Sequence, residues 1–311
     1  MLRRIVSPVS SLAVAPLRSY RKNYLENRHS LEREAFWLSA LPEFDSTGRI
    51  PRIIHQIFPA LPLPPPLQRN VDALKDANPG WEHRLCDENG CQAFIREHYG
   101  EQVLELYRRI NPEYGAARGD LARYLIVYAV GGVYLDIKSY FDRPIGSVIA
   151  EEDAYILAQW DNGPDGAHPG FGLHPDLDRF AGGELQQWHV IAEPAHPFLR
   201  AVVAKVLGNI ETYRPWRHGV GRPGVLRVTG PIAYTQAILP ILDRHPHRIF
   251  ANSGEIGLRY SIDDGYRHSA AFPSHYSLHT TPVARVPFWA TPLAALFGYI
   301  KSKTVNRGST A

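Results

Sequence analysis

The stretch from Asp120 to Asp142 constrains the fold most, because its hydrophobic period changes at a pair of glycines. Its first part has apolar residues at the i, i+3, i+4 and i+7 spacing of one helix face, namely Leu121, Tyr124, Leu125 and Tyr128. Gly131 and Gly132 predict the end of that helix. From residue 133 to residue 138 apolar and polar residues alternate, which predicts a strand with one apolar face.

Polar side chains gather around this helix–glycine–strand unit. Asp120 and Arg123 are three residues apart, so both can project from one part of the helix into a site rather than into the core. Asp136 and Lys138 share the polar face at the end of the strand. In open α/β sheets ligands bind outside the carboxyl ends of strands. The unit therefore predicts a small polar site suited to a phosphorylated sugar.

The remaining chain alternates between predicted strands and helices. Before the unit, these elements are expected at residues 53–58, 71–77, 81–85, 91–98 and 103–110, with an extended proline-rich connector at 62–66. After it, they are expected at residues 154–160, 188–192, 197–213, from 231, at 248–251 and at 266–272. The alternation predicts an α/β fold whose mostly parallel central sheet is flanked by helices.

The length of 311 residues suits one α/β enzyme domain, predicted at residues 49–285, with an extension at each end. Residues 1–48 are predicted to form an N-terminal arm. Its helix at 25–38, with Leu31, Phe36 and Trp37 on or near one face, either packs on the domain or lies on a membrane. Residues 286–311 are predicted to form a C-terminal helix and tail. The apolar helix at 288–303 either docks on the domain or touches anionic lipid.

Composition and missing motifs exclude several classes of function. The formal net charge of +3, without a Lys/Arg run, gives no reason to expect nucleic acid as a partner. There is no Walker loop, Gly-x-Ser-x-Gly, His-Glu-x-x-His or Cys-x-x-Cys motif. The two cysteines, Cys86 and Cys91, are expected to be free thiols in a reducing compartment. Residues 161–172 are expected to form a loop over the site, and Trp160 and Trp188 to belong to the core.

Two motifs carry a family resemblance. Residues 118–124 and 128–138 resemble the glycosyltransferases with a DXD sugar-binding region, family 32, which include fungal outer-chain mannosyltransferases and bacterial capsule and lipopolysaccharide transferases. The glucosyltransferase domains of large bacterial toxins carry a similar pattern. Supporting matches occur at residues 50–58, 78–81, 196–199 and 229–231, so the resemblance covers roughly Arg49 to His279. It departs at the second Asp of the DXD triplet, which is Lys138 here.

The resemblance implies a GT-A fold and a sugar transfer with retained anomeric configuration. The donor is expected to be a UDP- or GDP-linked sugar and the acceptor a glycan or a lipid-linked molecule, in capsule, lipopolysaccharide or other polysaccharide synthesis. The protein is expected in the cytoplasm, held peripherally at the inner face of a membrane. Catalytic roles fall on Asp120, Arg123 and Asp136. Nucleotide-sugar-binding roles fall on His55, Asp120, Arg123, Tyr134, Asp136 and Lys138.

Simpler structural roles stay open for several of these residues. Asp120 could be a helix N-cap, and Arg123 could form a structural ion pair with Asp120 or Asp136. His55 has the surroundings of a buried, hydrogen-bonded histidine. No acceptor base is identified, and Glu193, Asp263 and Asp264 are candidates by position only.

The cofactor expected in a DXD enzyme is Mn²⁺ or Mg²⁺, with Asp136 and His275 as the candidate ligands and His279 as a second choice to His275. Lys138 makes this uncertain, because an ammonium repels a divalent ion. Three accounts compete: Lys138 replaces the metal, Lys138 turns outward while Asp136 and a histidine hold the ion, or the site is inactive. The alternative functions are a non-catalytic sugar-binding or partner subunit that kept the fold, and a sugar-phosphate or nucleotidyl transferase.

Overall fold

The computed structural model describes residues 28–262 and 276–308, with side chains described as far as residue 303. A six-stranded sheet lies at its centre in the order β2–β1–β3–β6–β5–β7. Its strands are β1 Ile53–Ile57, β2 Glu82–Cys86, β3 Gly132–Leu135, β5 Tyr155–Ala158, β6 His189–Ala192 and β7 Arg248–Phe250. The sheet is mixed: β1 pairs in parallel with β2 and β3, β5 pairs in parallel with β7, and β6 is antiparallel to both of its neighbours.

Helices cover this sheet. They are α1 at residues 28–40, α2 Pro65–Asp76, α3 Glu88–Arg109, α4 Gly115–Val130, α5 Pro197–Glu211, α6 Pro215–His218, α7 Gly221–Val228, α8 Pro231–Ile238 and α9 Thr291–Gly308. A second, two-stranded sheet pairs β4 Tyr140–Phe141 antiparallel with β8 Leu258–Arg259. The predicted α/β class with a mostly parallel sheet flanked by helices is confirmed.

The predicted helix–glycine–strand unit is present as α4 and β3, with Gly131 at the helix C-cap. Its burial differs from the prediction, because all four residues of β3 are buried and not one face alone. Tyr134 belongs to the core cluster that contains α4, whereas Val133 and Leu135 belong to a second cluster on the other face. Helix α4 is likewise buried around most of its circumference. This unit is the centre of the molecule and not a surface element.

Gly132 allows β3 to approach β1. Its φ of +107° lies in a region that residues with a side chain rarely adopt. An added Cβ would lie 2.6 Å from the carbonyl oxygen of Ile53. The strand then pairs in parallel with β1 at Ile54 and His55. The carboxyl end of β3, where Asp136 follows, is thereby fixed relative to the first strand.

Several element boundaries differ from the predictions. The two helices expected at 91–98 and 103–110 form one element, α3, with a kink at Gly100, where φ is +77°. The proline-rich connector ends early because α2 begins at Pro65, and proline suits the first turn of a helix. The other predicted strands are present within one to two residues of their expected bounds, but the one at 266–272 lies outside the described residues.

The N-terminal arm packs against α5 from residue 28 onward. Trp37 is buried in the main core, and its indole Nε1 donates to Glu211 at 2.9 Å. Arg33 forms an ion pair with the same carboxylate. Leu31 and Phe36, which were expected on or near the same face as Trp37, are exposed.

Within the described residues, one helical run, Gly221–Arg244, is long and apolar enough to cross a membrane by length and composition. In the structure this run is divided into α7, α8 and a short 3₁₀ helix, and 61% of its apolar window is buried inside the protein. A core helix of a soluble protein meets the same criterion.

Candidate functional site

Asp120 lies on α4 and is buried among polar side chains. One carboxylate oxygen accepts a hydrogen bond from the Thr229 hydroxyl at 2.8 Å. The other accepts from the Gln187 side-chain amide at 3.2 Å and lies 3.3 Å from a guanidinium nitrogen of Arg123. Burial raises the pKa of Asp120, although Arg123 and Thr229 act to lower it. Asp120 is not an N-cap, since α4 begins at Gly115.

Arg123 joins the two carboxylates of the site. Its Nη2 atom lies 3.3 Å from Asp120 and 3.1 Å from Asp136, while Nη1 donates to the backbone and side-chain oxygens of Gln187. Burial acts to lower the pKa of Arg123, but the Asp136 carboxylate, Tyr134 and Asp120 raise it above its ordinary value. The guanidinium therefore stays charged, and its donors are occupied by the protein. Both structural ion pairs left open by the sequence are present.

Asp136 is the most accessible of these acids, with a quarter of its side chain exposed. It follows the last residue of β3, and its backbone N–H donates to the carbonyl of Trp188, which fixes its position beside β6. One carboxylate oxygen accepts from the Tyr134 hydroxyl at 3.0 Å as well as from Arg123. The Arg123 guanidinium also lies over the Tyr134 ring, 4.6 Å from its centre. Tyr134 therefore helps to hold both charged groups.

Lys138 is buried beside the site and does not turn outward. It is only 6% exposed, and its ammonium lies 3.7 Å from the centre of the Tyr260 ring. Burial lowers the pKa of Lys138, and the nearby Asp136 raises it only in part. The turn that carries Lys138 is fixed from two sides: the Asn70 side chain donates to the flanking carbonyls of Ile137 and Ser139, and the Lys138 carbonyl accepts from Ile262.

Two predicted site residues lie away from this cluster. His55 is buried and its Nε2 atom is 2.9 Å from the carbonyl oxygen of Gly131, at the opposite end of β3 from Asp136. Burial lowers its pKa to about 4. Its predicted contact with the nucleotide sugar stays a prediction. Glu193 follows β6 at that same distant end and accepts from Ser46, so it does not fit the predicted role of acceptor base.

The C-terminal candidates fall on a segment that is described only in part. Asp263, Asp264 and His275 lie outside the described residues. The ring of His279 lies 5.3 Å from that of Tyr114. Tyr276, three residues earlier, is near the site: burial raises its pKa to about 12, with Asp120 and Tyr260 also raising it. The roles of these histidines stay predictions.

The sequence analysis missed several residues around the site. Gln187 and Thr229 bind Asp120 directly, and only Thr229 had a signal, in the Thr-Gly-Pro match at 229–231. Tyr260 lies under Lys138, and exposed Arg222 is close enough to act on the pKa of Tyr260.

Trp160 and Trp188 are confirmed as core residues, and both pack against Tyr260. The indole Nε1 of Trp188 has no hydrogen-bond partner within the described part of the chain. The loop after Trp160 is present, and Trp160 donates to Glu184.

The described residues do not fit a divalent metal ion. No group of three His, Cys, Asp or Glu residues that could hold one occurs among them. At the second position of the motif the structure places the ammonium of Lys138, which has no lone pair to donate while protonated and repels a cation. Asp136 is available as a ligand, but its partner in the prediction, His275, lies outside the described residues. No step of the chemistry is therefore assigned to a metal.

The arrangement can orient a polyhydroxylated ligand and hold negative charge. Each carboxylate oxygen can accept more than one hydrogen bond, so Asp120 and Asp136 retain capacity for sugar or ribose hydroxyls. The ammonium of Lys138, which has no carboxylate within ion-pair distance among the described residues, is a suitable partner for phosphate oxygens. Hydrogen bonds from Gln187 and Thr229 fix the Asp120 carboxylate before any ligand arrives.

Two solved glycosyltransferase domains are similar in backbone. The domain of the YGT toxin, solved with UDP bound, has a TM-score of 0.46 and 9% identity, covering 73% of this chain and 83% of that one. The PaToxG glycosyltransferase has a TM-score of 0.42 and 15% identity, covering 73% and 80%. These likenesses are too distant to carry an argument about the site.

Sequence comparisons are more specific. The family model described as "Glycosyltransferase sugar-binding region containing DXD motif" matches residues 64–155, which include α4, β3 and Lys138. The initiation-specific alpha-1,6-mannosyltransferase of Candida albicans is 28% identical over 186 residues, 54% of this chain and 46% of that protein. Inositol phosphoceramide mannosyltransferase 1 of Schizosaccharomyces pombe is 28% identical over 210 residues, 64% of this chain and 56% of that protein.

This chain spans about half the length of these curated relatives. The observed mixed α/β sheet agrees with the predicted GT-A fold. The matched motif region and the related mannosyltransferases show that this chain is similar to glycosyltransferases whose sugar-binding region contains a DXD motif, with a DXK triplet here.

Proposed function

We propose that this chain transfers a sugar from a nucleotide-diphospho-sugar to a hydroxyl of a glycan or lipid-linked acceptor. The observation that carries the proposal is the Asp120–Arg123–Asp136 cluster at the carboxyl end of β3, with Lys138 beside it. A carboxylate pair locked by one arginine presents acceptor oxygens for sugar hydroxyls, and the adjacent ammonium presents a positive charge for a diphosphate.

The chemistry requires stabilisation of negative charge on the departing diphosphate. Asp120 orients the sugar and Asp136 the nucleotide end, while Arg123 holds both carboxylates in place. Lys138 meets the phosphate oxygens as the bond to the sugar breaks, which is electrostatic stabilisation by a group already in position. Transfer is proposed to retain the anomeric configuration, as the family resemblance implies.

The proposed sugar is mannose, and the proposed acceptors are a glycan and an inositol phosphoceramide-like lipid. The sugar and the lipid follow the names of the relatives, which include an initiation-specific alpha-1,6-mannosyltransferase and an inositol phosphoceramide mannosyltransferase. The nucleotide, UDP or GDP, is left to the experiment. Synthesis of capsule, lipopolysaccharide or another polysaccharide stays a prediction from the family.

The test is release of free nucleotide by the purified protein from a panel of GDP- and UDP-linked sugars, including both mannose donors, with and without an acceptor sugar. The expected result is release from one donor that rises when acceptor is present. Lack of release from every donor, together with donor binding by calorimetry, would favour the non-catalytic sugar-binding subunit. Product NMR would report the anomeric configuration.

Lys138 leads to a prediction about the metal. We expect wild-type release to persist in excess EDTA, because the ammonium supplies the positive charge that the second aspartate of a DXD motif recruits through a cation. Lys138→Ala should lose about 10²-fold or more in rate, the range for removing one group that stabilises transition-state charge. Lys138→Asp restores the DXD acid and should become active only with Mn²⁺. Loss of wild-type activity in EDTA, restored by Mn²⁺ alone, would contradict the prediction.

A further inference from the structure

Helix α9 and the 3₁₀ turn before it, Phe288–Ala290, expose large apolar side chains on their outer surface. This outer face is defined here as six residues that are each between 53% and 89% exposed: Phe288, Trp289, Leu293, Leu296, Tyr299 and Ile300. Such a continuous exposed apolar face is unusual for a protein surface without a partner and marks an interaction site.

The helix docks on the protein with its small residues instead. Ala290 and Ala294 are buried, and a Cβ added at Gly298 would lie 2.9 Å from the carbonyl oxygen of Thr280. These positions recur every four residues, so they lie on one side of the helix. An ordinary surface helix buries its large apolar residues and exposes polar ones. Here the large residues point away from the part of the protein that the structure describes.

The charged residues of the C-terminal segment have one sign. The sequence contains no Asp or Glu after Asp264, whereas Arg285, Lys301 and Lys303 flank or follow the helix. The Arg214 guanidinium lies 5.0 Å from the centre of the Trp289 ring. Arg214 and Arg285 are also close enough to Arg109 to lower its pKa, after the larger effect of burial, while Glu211 acts to raise it, so three cations and one acid lie near one another there. An apolar face bordered by cations complements an anionic lipid surface.

We propose that the outer face of α9 lies in the interface of an anionic membrane, with Leu293, Leu296 and Ile300 among the acyl chains and the flanking cations at the headgroups. The proposal extends the proposed function, because a membrane-bound enzyme would meet a lipid-linked acceptor at the surface. It concerns binding alone, so it can fail while sugar transfer stands. The cytoplasmic side of the membrane stays a prediction.

The experiment is flotation of the full-length protein with two kinds of vesicle. One contains phosphatidylcholine alone, and the other also contains roughly 30% phosphatidylserine as the anionic lipid. The wild type should float with the anionic vesicles, and Leu293→Ser/Leu296→Ser should lose at least about tenfold in bound fraction. Lys301→Glu/Lys303→Glu should lose binding most at low salt, where screening is weak. Leu31→Ser, at an exposed leucine on α1, is the matched control and should bind like the wild type.

Circular dichroism melting checks that each variant is folded, and light scattering reports the oligomeric state. Full-length protein that remains at the bottom of the gradient would overturn the proposal. This holds both if residues 1–27 cover the outer face and if nothing covers it. So would a wild-type dimer that the double serine variant converts to a monomer without any change in flotation, since the partner would then be a second copy. Equal binding of the wild type and the double serine variant would also overturn it.

Discussion

At the scale of single residues, the ion pairs of Arg123 determine which substitutions can test the roles of the two site carboxylates. It pairs with Asp120 and Asp136 at 3.3 and 3.1 Å, and its side chain is almost fully buried. Removing one partner of a buried charge network leaves the other charges without compensation, which costs about 3–5 kcal/mol. Loss of activity in an alanine variant would therefore combine an effect on catalysis with an effect on folding.

We predict that Arg123→Ala lowers the free energy of unfolding by about 3–5 kcal/mol and abolishes transfer. Asp120→Asn keeps the shape of the side chain and leaves Arg123 paired with Asp136, so it should abolish transfer at a much smaller cost in stability. Urea unfolding and nucleotide release on the same preparations check both. An Arg123→Ala protein as stable as the wild type would show that the ion pairs are not important to the fold.

The residues that complete this site show why sequence analysis found only part of it. Asp120, Arg123 and Asp136 belong to one local unit, so helical spacing and the family motif indicate them. Gln187 and Thr229 bind Asp120 from positions 67 and 109 residues away along the chain. Such contacts depend on how distant elements pack, and no local pattern encodes that. The position of His55 relative to Asp136 could not be predicted for the same reason, since it depends on where β1 lies in the sheet.

At the scale of elements, the close approach of β3 to β1 at Gly132 is sensitive to any added side chain. We predict that Gly132→Ala destabilises the protein by several kcal/mol, because strain at positive φ costs about 1–3 kcal/mol and the Cβ would also clash with the Ile53 carbonyl. Gly115→Ala is the matched control within α4. It has open space and no positive φ, and it should be neutral or stabilising by up to about 1 kcal/mol.

Thermal unfolding of the two glycine variants checks this prediction. Similar melting temperatures for Gly132→Ala and Gly115→Ala would mean that β3 can shift away from β1 without cost. That result would also weaken the view that this contact fixes Asp136, so nucleotide release should be measured on both proteins.

Element types followed from local patterns, whereas burial did not. The change of period at Gly131 predicted α4 and β3 correctly. The alternation after Gly132 suggested one solvated face, yet a tyrosine is compatible with both a core and a surface. Tyr134 is buried because α4 covers its face of the sheet, and its hydroxyl is satisfied by Asp136. Alternation therefore indicated the strand but not how many of its faces the fold would cover.

At the scale of the whole molecule, the described chain buries four histidines in neutral form. Burial is the largest cause in each case, and it lowers the pKa of His55, His196 and His218 to about 4 and that of His189 to about 3. In the unfolded chain these side chains titrate near pH ~6.5. Between these values the unfolded state binds protons that the folded state does not, so stability is present above pH ~6.5 and is lost as the pH falls.

We predict that the protein loses stability steeply between pH ~6.5 and pH ~4, and that His55 accounts for a measurable part of the loss. His55→Gln should keep a donor for the Gly131 carbonyl but cannot titrate. The fall in the free energy of unfolding from pH 7.5 to pH 5 should then be smaller than in the wild type by about 2 kcal/mol. Urea titrations at the two pH values measure this difference. Equal losses in both proteins would mean that His55 gains its proton without unfolding, and that the Gly131 contact can hold an imidazolium.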